Sequence, residues 1–161
     1  MASDYLLEID GIKGESKDKK HKETIEVQSF SWGASQPGSF ASGGGGGAGK
    51  VAFQDIHFTS TVNKASPLLI KACATGQHIK KAVLFVRKAG GAQEDFYQVT
   101  LEDVLVSSYQ SGGHDGSNTL PADQFALNFA KIKFVYQPQD EKGKLGGAVP
   151  FEYDLKANIS K

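Results

Sequence analysis

Gln124-Phe125-Ala126-Leu127-Asn128-Phe129-Ala130-Lys131-Ile132-Lys133-Phe134-Val135-Tyr136 is the stretch on which the fold class turns. Phe125, Leu127 and Phe129 alternate with small or polar residues, and Ile132, Phe134 and Tyr136 do so again. Strand side chains change face with a period of two, whereas a helix would space its apolar residues by three and four. Between Phe129 and Ile132 the apolar phase slips by one position. The same slip separates Ile25 and Val27 from Phe30 and Trp32, and Val51 and Phe53 from Ile56 and Phe58. A slip means either a bulge or a strand covered on opposite faces at its two ends, and the second reading calls for a neighbour outside the fold.

Working outward, the same alternation predicts strands at 5–9, 24–32, 51–62, 80–88, 96–109, 124–136 and 150–155, an all-β domain of barrel or sandwich type spanning residues 1–161. A charged turn (14–22), a glycine-rich loop (36–50) and shorter glycine turns separate them. One helix is predicted at Ser66–Thr75, with Ser66 as its cap, Pro67 at its first position and Gly76 ending it in the left-handed conformation. Its inward face carries Leu69, Ala72 and Cys73.

The 161 residues fit one domain, and 39% hydrophobic with 22% charged content is that of a folded chain. Eighteen basic and eighteen acidic residues cancel, so no overall field steers the protein to nucleic acid or anionic lipid. Neutrality also favours self-association. The single cysteine, Cys73, rules out an internal disulfide and a thiolate metal cluster. The start shows no signal-peptide pattern, and no segment has the length of a membrane span, so synthesis in the cytoplasm is expected.

Motifs for catalysis or cofactors fall short. Gly44-Gly45-Gly46-Gly47-Ala48-Gly49-Lys50 follows a phosphate-binding loop up to its lysine, but Val51 replaces the magnesium hydroxyl and a strand pattern follows where a helix is needed. His21, His57, His78 and His114 share no ligand spacing, stand beside no paired acid in a motif, and read as solvated loop residues. His114-Asp115-Gly116-Ser117 holds the letters of a hydrolase triad, but neighbours in a turn do not converge on one reacting atom. Lys17, Lys19, Lys20 and Lys22 are interleaved with acids; Lys80, Lys81, Arg87 and Lys88 bracket a strand. Neither group carries the aromatics that nucleic-acid binding wants. No enzyme activity, cofactor or metal is expected.

Certain segments, in order and spacing, carry a resemblance over essentially the whole chain. They are Lys13-Gly-Glu-Ser-Lys-Asp-Lys, Phe30-Ser-Trp-Gly, the loop 43–50 running into Val51, Ser66-Pro67, Arg87-Lys-Ala-Gly-Gly, Val104-Leu-Val-Ser-Ser, Leu127-Asn-Phe-Ala and Tyr136-Gln-Pro-Gln. The chain resembles the haemolysin-coregulated protein (Hcp) family of the bacterial type VI secretion system. The resemblance implies a β-barrel of two sheets flanked by one helix, six copies in a ring with a wide pore, and rings stacked into a tube. Its implied partners are small effector proteins in the pore, a spike protein and a contractile sheath. It also implies secretion by that system without a signal peptide. No extension that could be a fused toxin follows Lys161, so a plain structural member is expected. The alternative is a secreted β-sandwich binding module for a carbohydrate or protein ligand; it would be a monomer or dimer where the tube protein is a ring.

Within that resemblance, alternation sends Phe30 and Trp32 to the core and Ser31 to the other face, where it would line the pore against cargo. Phe40, Gly43, Gly44, Gly45, Gly46, Gly47 and Lys50 would form the ring-stacking loop. Consecutive glycines bury almost no apolar surface, and ordering each costs about 1–2 kcal/mol, so a neighbouring ring is the expected source of compensation.

Overall fold

The computed structural model describes residues 3–38, 50–88, 93–116 and 120–160. In chain order its elements are β1 (Ser3–Ile9), β2 (Ile25–Val27), β3 (Ser29–Ser31), β4 (Ala34–Ser35), β5 (Ala52–Phe53), β6 (Ile56–Thr61), α1 (Ser66–Thr75), β7 (Ile79–Lys88), β8 (Asp95–Gly112), β9 (Ala122–Tyr136), β10 (Val149–Asp154) and β11 (Ile159–Ser160). The fold is all-β with one short helix, as the alternation requires. The main sheet runs β11-β10-β9-β8-β7-β1-β2, with β6 branching from β9 and β3 from β6. Every pairing is antiparallel. The ladders leave this sheet open, but residues 25–31 join its margins: β2 holds β1, β3 holds β6, and Gln28 N–H donates to Thr59 O between them.

The long strands β8 and β9 serve both parts of the sheet. The half of β9 that starts at Ala122 pairs with β6, and the half that ends at Tyr136 pairs with β10. The phase slip marks the transfer. Ile79, Val104 and Phe129 stand in one register row, and Ala82, Leu101 and Ile132 in another, so β7, β8 and β9 all slip along one line. Asp103 sits on that line with a φ of 54°. All six residues are buried in the same core. Phe30 and Trp32 pack against that core beside Ile25 and Val27, and Phe53 does so beside Ile56 and Phe58. The reading of strands covered on opposite faces is therefore wrong for these segments; the slips are bends that keep one interior. Two predicted strands also break there, 24–32 into β2, β3 and 51–62 into β5, β6.

Aromatic contacts fill the interior. Phe58 and Phe125, paired in register, stack with centroids 5.3 Å apart. Trp32 packs edge-on against Phe134 at 5.4 Å and donates its indole N–H to the Tyr97 hydroxyl at 2.8 Å. Helix α1 spans the predicted residues, buries Leu69 and Ala72, and ends at Gly76 with a φ of 60°. Its start differs from expectation. Ala65 is the N-cap, and no side chain caps the amides. The Ser66 hydroxyl instead accepts from Asn63 N–H at 3.0 Å and donates to the buried Asp123 carboxylate.

Candidate functional site

Ser31 is exposed on β3, with Phe30 and Trp32 turned to the core as alternation predicts. Antiparallel partners share a face, their Cβ atoms about 4.5–5.5 Å apart. Ser31 pairs with His57, His57 with Ala126, and Ala126 with Ser108, so one row crosses four strands; Ser31, His57 and Ser108 are exposed in it, and Ala126 is buried. The next row is Ser29, Thr59, Gln124 and Gln110. Beside them the Asp55 carboxylate accepts from Ser107 Oγ at 2.7 Å and Asn128 Nδ2 at 2.8 Å. His57, Thr59, Ser108, Gln110 and Gln124 border a shallow concavity of about 360 Å³. This face is polar, small-chained and nearly uncharged, so it can meet water or varied protein surfaces without fixed ionic demands.

Past the bend the outward face changes character. Lys81, Glu102, Lys131 and Asp154 stand in one row, alternating in sign. In the next row Lys133 follows Thr100 and meets Glu152 at 3.4 Å. Opposite charges across strands satisfy one another on the surface.

A third outward region, over β1 and β7, is covered by the segment 10–24. Gly14 lies so close to Thr24 that a Cβ there would meet the Thr24 carbonyl oxygen at 2.4 Å. That approach lets Gly14 N–H donate to Glu23 O and Ser16 N–H to Thr24 O. The segment is fastened by Arg87, 5% exposed. Its guanidinium binds both oxygens of Asp18, one bond measuring 3.0 Å, and reaches Asp4 at 3.4 Å. The Arg87 hydrogen bonds hold the Asp18 carboxyl below its usual range. The His21 ring stacks on Phe85 at 4.0 Å and binds Asp95 at 2.9 Å.

The other predicted residues divide. Lys50 is exposed and leads into β5, a strand, so no helix amino terminus follows it. Phe40 and Gly43, Gly44, Gly45, Gly46 and Gly47 lie outside the described residues. Two histidines read as unpaired in fact hold distant acids, His21 with Asp95 and His78 with Asp103. His57, read as a loop residue, lies on β6 beside Ser31. Sequence reasoning missed that pairing; its signal was the alternation Ile56, Phe58, Ser60, which forces His57 outward. Among the described residues no cluster of three His, Cys, Asp or Glu could hold a metal, and no helix is long and apolar enough to cross a membrane.

Residues 6–136 match the family model described as type VI secretion system effector, Hcp. The chain is 47% identical over 161 residues to Protein hcp1 of Pseudomonas aeruginosa, covering 99% of each. Among solved structures, one described as a type six secretion system protein superposes with a TM-score of 0.94 at 33% identity, covering 99% of this chain and all of that one. Hcp1 from Salmonella typhimurium gives 0.84 at 35%, covering all of both. On this evidence the chain belongs to the Hcp family of the type VI secretion system.

Proposed function

We propose that this chain, a type VI secretion tube protein by family, works as a structural subunit and not as a catalyst. Six copies form a ring, rings stack into a tube, and the face carrying Ser31 lines the pore where small effector proteins ride. The observation that supports this most is that face itself: four strands present small, polar, almost uncharged side chains outward. Exposed apolar groups at strand ends, Tyr136 at 43% and its partner Val149 at 63%, suit burial between copies. In this reading the subunit is made in the cytoplasm and leaves through the contractile sheath, behind a spike protein. Gel filtration with light scattering, followed by electron microscopy, tests it. Ring-shaped hexamers with an open centre are expected; a stable monomer at micromolar concentration overturns the reading.

Two residue roles belong to the same proposal. Ser31→Gln should leave rings intact while weakening effector retention; unchanged cargo levels would remove Ser31 from the pore's working surface. Phe40, Gly43 to Gly47 and Lys50 form the stacking loop, on the sequence argument given above. Deleting three of the five glycines should yield normal rings and poor tubes, since a mere connector tolerates shortening.

A further inference from the structure

We propose that the segment 10–24 presents a lysine patch, Lys17, Lys19, Lys20 and Lys22, that docks a carboxylate-rich segment of another protein. The patch lies over β1 and β7 and shares neither β3 nor β6 with the Ser31 face. It therefore stands or falls apart from the pore reading.

Along the sequence these lysines are interleaved with Glu15, Asp18 and Glu23, which reads as a self-neutralising turn. The fold sorts the charges instead. Asp18 turns beneath the segment onto the buried Arg87, its side chain only 13% exposed, and also accepts the backbone N–H groups of Lys20 and His21 at 3.1 and 2.9 Å. Glu23 meets Lys13 at 3.7 Å, and Asp95 holds His21. Lys17, Lys19, Lys20 and Lys22 stay exposed, and among the described residues none of them pairs with a carboxylate. Lys20 donates instead to the Gln93 carbonyl oxygen at 3.4 Å. The exposed acids left nearby are Glu15, before the patch, and Glu94, next to Asp95. Four ammonium groups thus crowd residues 17–22, a stretch of about 20 Å at full extension, and the acid between them is matched from below.

The surroundings of the patch choose among anionic partners. Segment 10–24 contains no aromatic residue, and the Phe85 ring beneath it is covered by His21 at 4.0 Å, so bases find no stacking platform. Ile12, its one large apolar side chain, is buried, so nothing inserts into a bilayer. Lysine is a hydrated point charge on a flexible stem, without the guanidinium fork that grips a phosphate through two bonds. Such a patch suits carboxylates spaced along a protein chain, held without fixed geometry and released by salt.

The test uses the full chain as purified and a fluorescent glutamate-rich peptide, with binding read by anisotropy at low salt. Replacing Lys19→Gln and Lys22→Gln together should weaken binding about tenfold, the size of two exposed ion pairs, and added salt should abolish the difference. The same charge change made elsewhere, Lys80→Gln with Lys81→Gln on β7, should alter affinity less than about twofold. No loss in the first pair removes the patch, and equal losses in both pairs mean that the peptide reads total charge and no site exists. Vesicles of anionic lipid and a single-stranded oligonucleotide are measured beside the peptide; if Lys19→Gln with Lys22→Gln costs either of them more affinity than it costs the peptide, the partner class is wrong. Light scattering tests the remaining occupant. An assembled mass unchanged by the two substitutions is expected, whereas a changed mass would assign the patch to a contact between copies and overturn the proposal.

Discussion

On one side of the line through Asp103 and Ala130, the ribbon of β8 and β9 turns Ser108, Gln110 and Gln124 outward; on the other it turns Glu102, Lys131 and Lys133 outward. The contrast continues inside. The first half buries Asp123, fully enclosed, on neutral donors: the Ser66 hydroxyl and the Tyr109 hydroxyl at 2.8 Å. The half built on β7 buries Arg87 on two carboxylates. Both solutions satisfy a charge that burial would otherwise penalise. They differ in reach. An ion pair can fasten a separate segment over the sheet, whereas the hydroxyl knot fixes a helix start to an adjacent strand.

The strongest way to break this comparison is Asp18→Ala. It leaves a buried guanidinium with Asp4 alone, and losing one partner of such a pair costs about 3 kcal/mol. Urea unfolding should show that loss, and a cost near zero would mean the segment 10–24 is not fastened by charge. The pair also predicts an acid limb. Because Arg87 lowers the native pKa of Asp18, its stabilisation is complete above the ordinary value of 3.8 and disappears as pH falls through the native value. Denaturation midpoints in acid should show this in the wild type and lose it in Asp18→Ala.

Next in size is Tyr109→Phe, which removes one hydrogen bond to a buried carboxylate and should cost about 1.5 kcal/mol. Burial, reinforced by Asp123, raises the Tyr109 phenol. A raised native pKa gives stabilisation that is whole below 10.0 and lost as pH climbs through the native value. The neutral half should therefore weaken in alkali where the charged half weakens in acid, and thermal melts across pH sharpen or erase that asymmetry. Smallest of all, Lys133→Ala removes an exposed partner of Glu152 and should shift stability by under about 0.5 kcal/mol. A larger effect would make the alternating rows structural rather than superficial.

Much of this could be read before any coordinates. Period two located every long strand, and the helix fell at its predicted residues because Pro67 and Gly76 are local signals. The slip in 124–136 was visible, but its partners in β7 and β8 were not singled out, and only their register shows one bend. Ser66 was misassigned as a cap because its true acceptor, Asp123, is distant in sequence. Arg87 and the segment from Lys13 both contributed to the family resemblance, yet nothing local says that Asp18 of one binds the other. His57 beside Ser31 is the same case: each residue's facing was legible, and their pairing depends on which strands meet.

The shared strands β8 and β9 also bear on how the subunit carries force. Their ladder runs from Tyr97 opposite Tyr136 to Gly112 opposite Ala122, across both parts of the sheet. A load directed along these strands strains the ladder in shear, so its hydrogen bonds yield together or not at all. A load that peels β11 from β10 meets its pairings one after another, Tyr153 with Ser160 and Asp154 with Ile159. The subunit is thus stiff along one axis and weak at one margin.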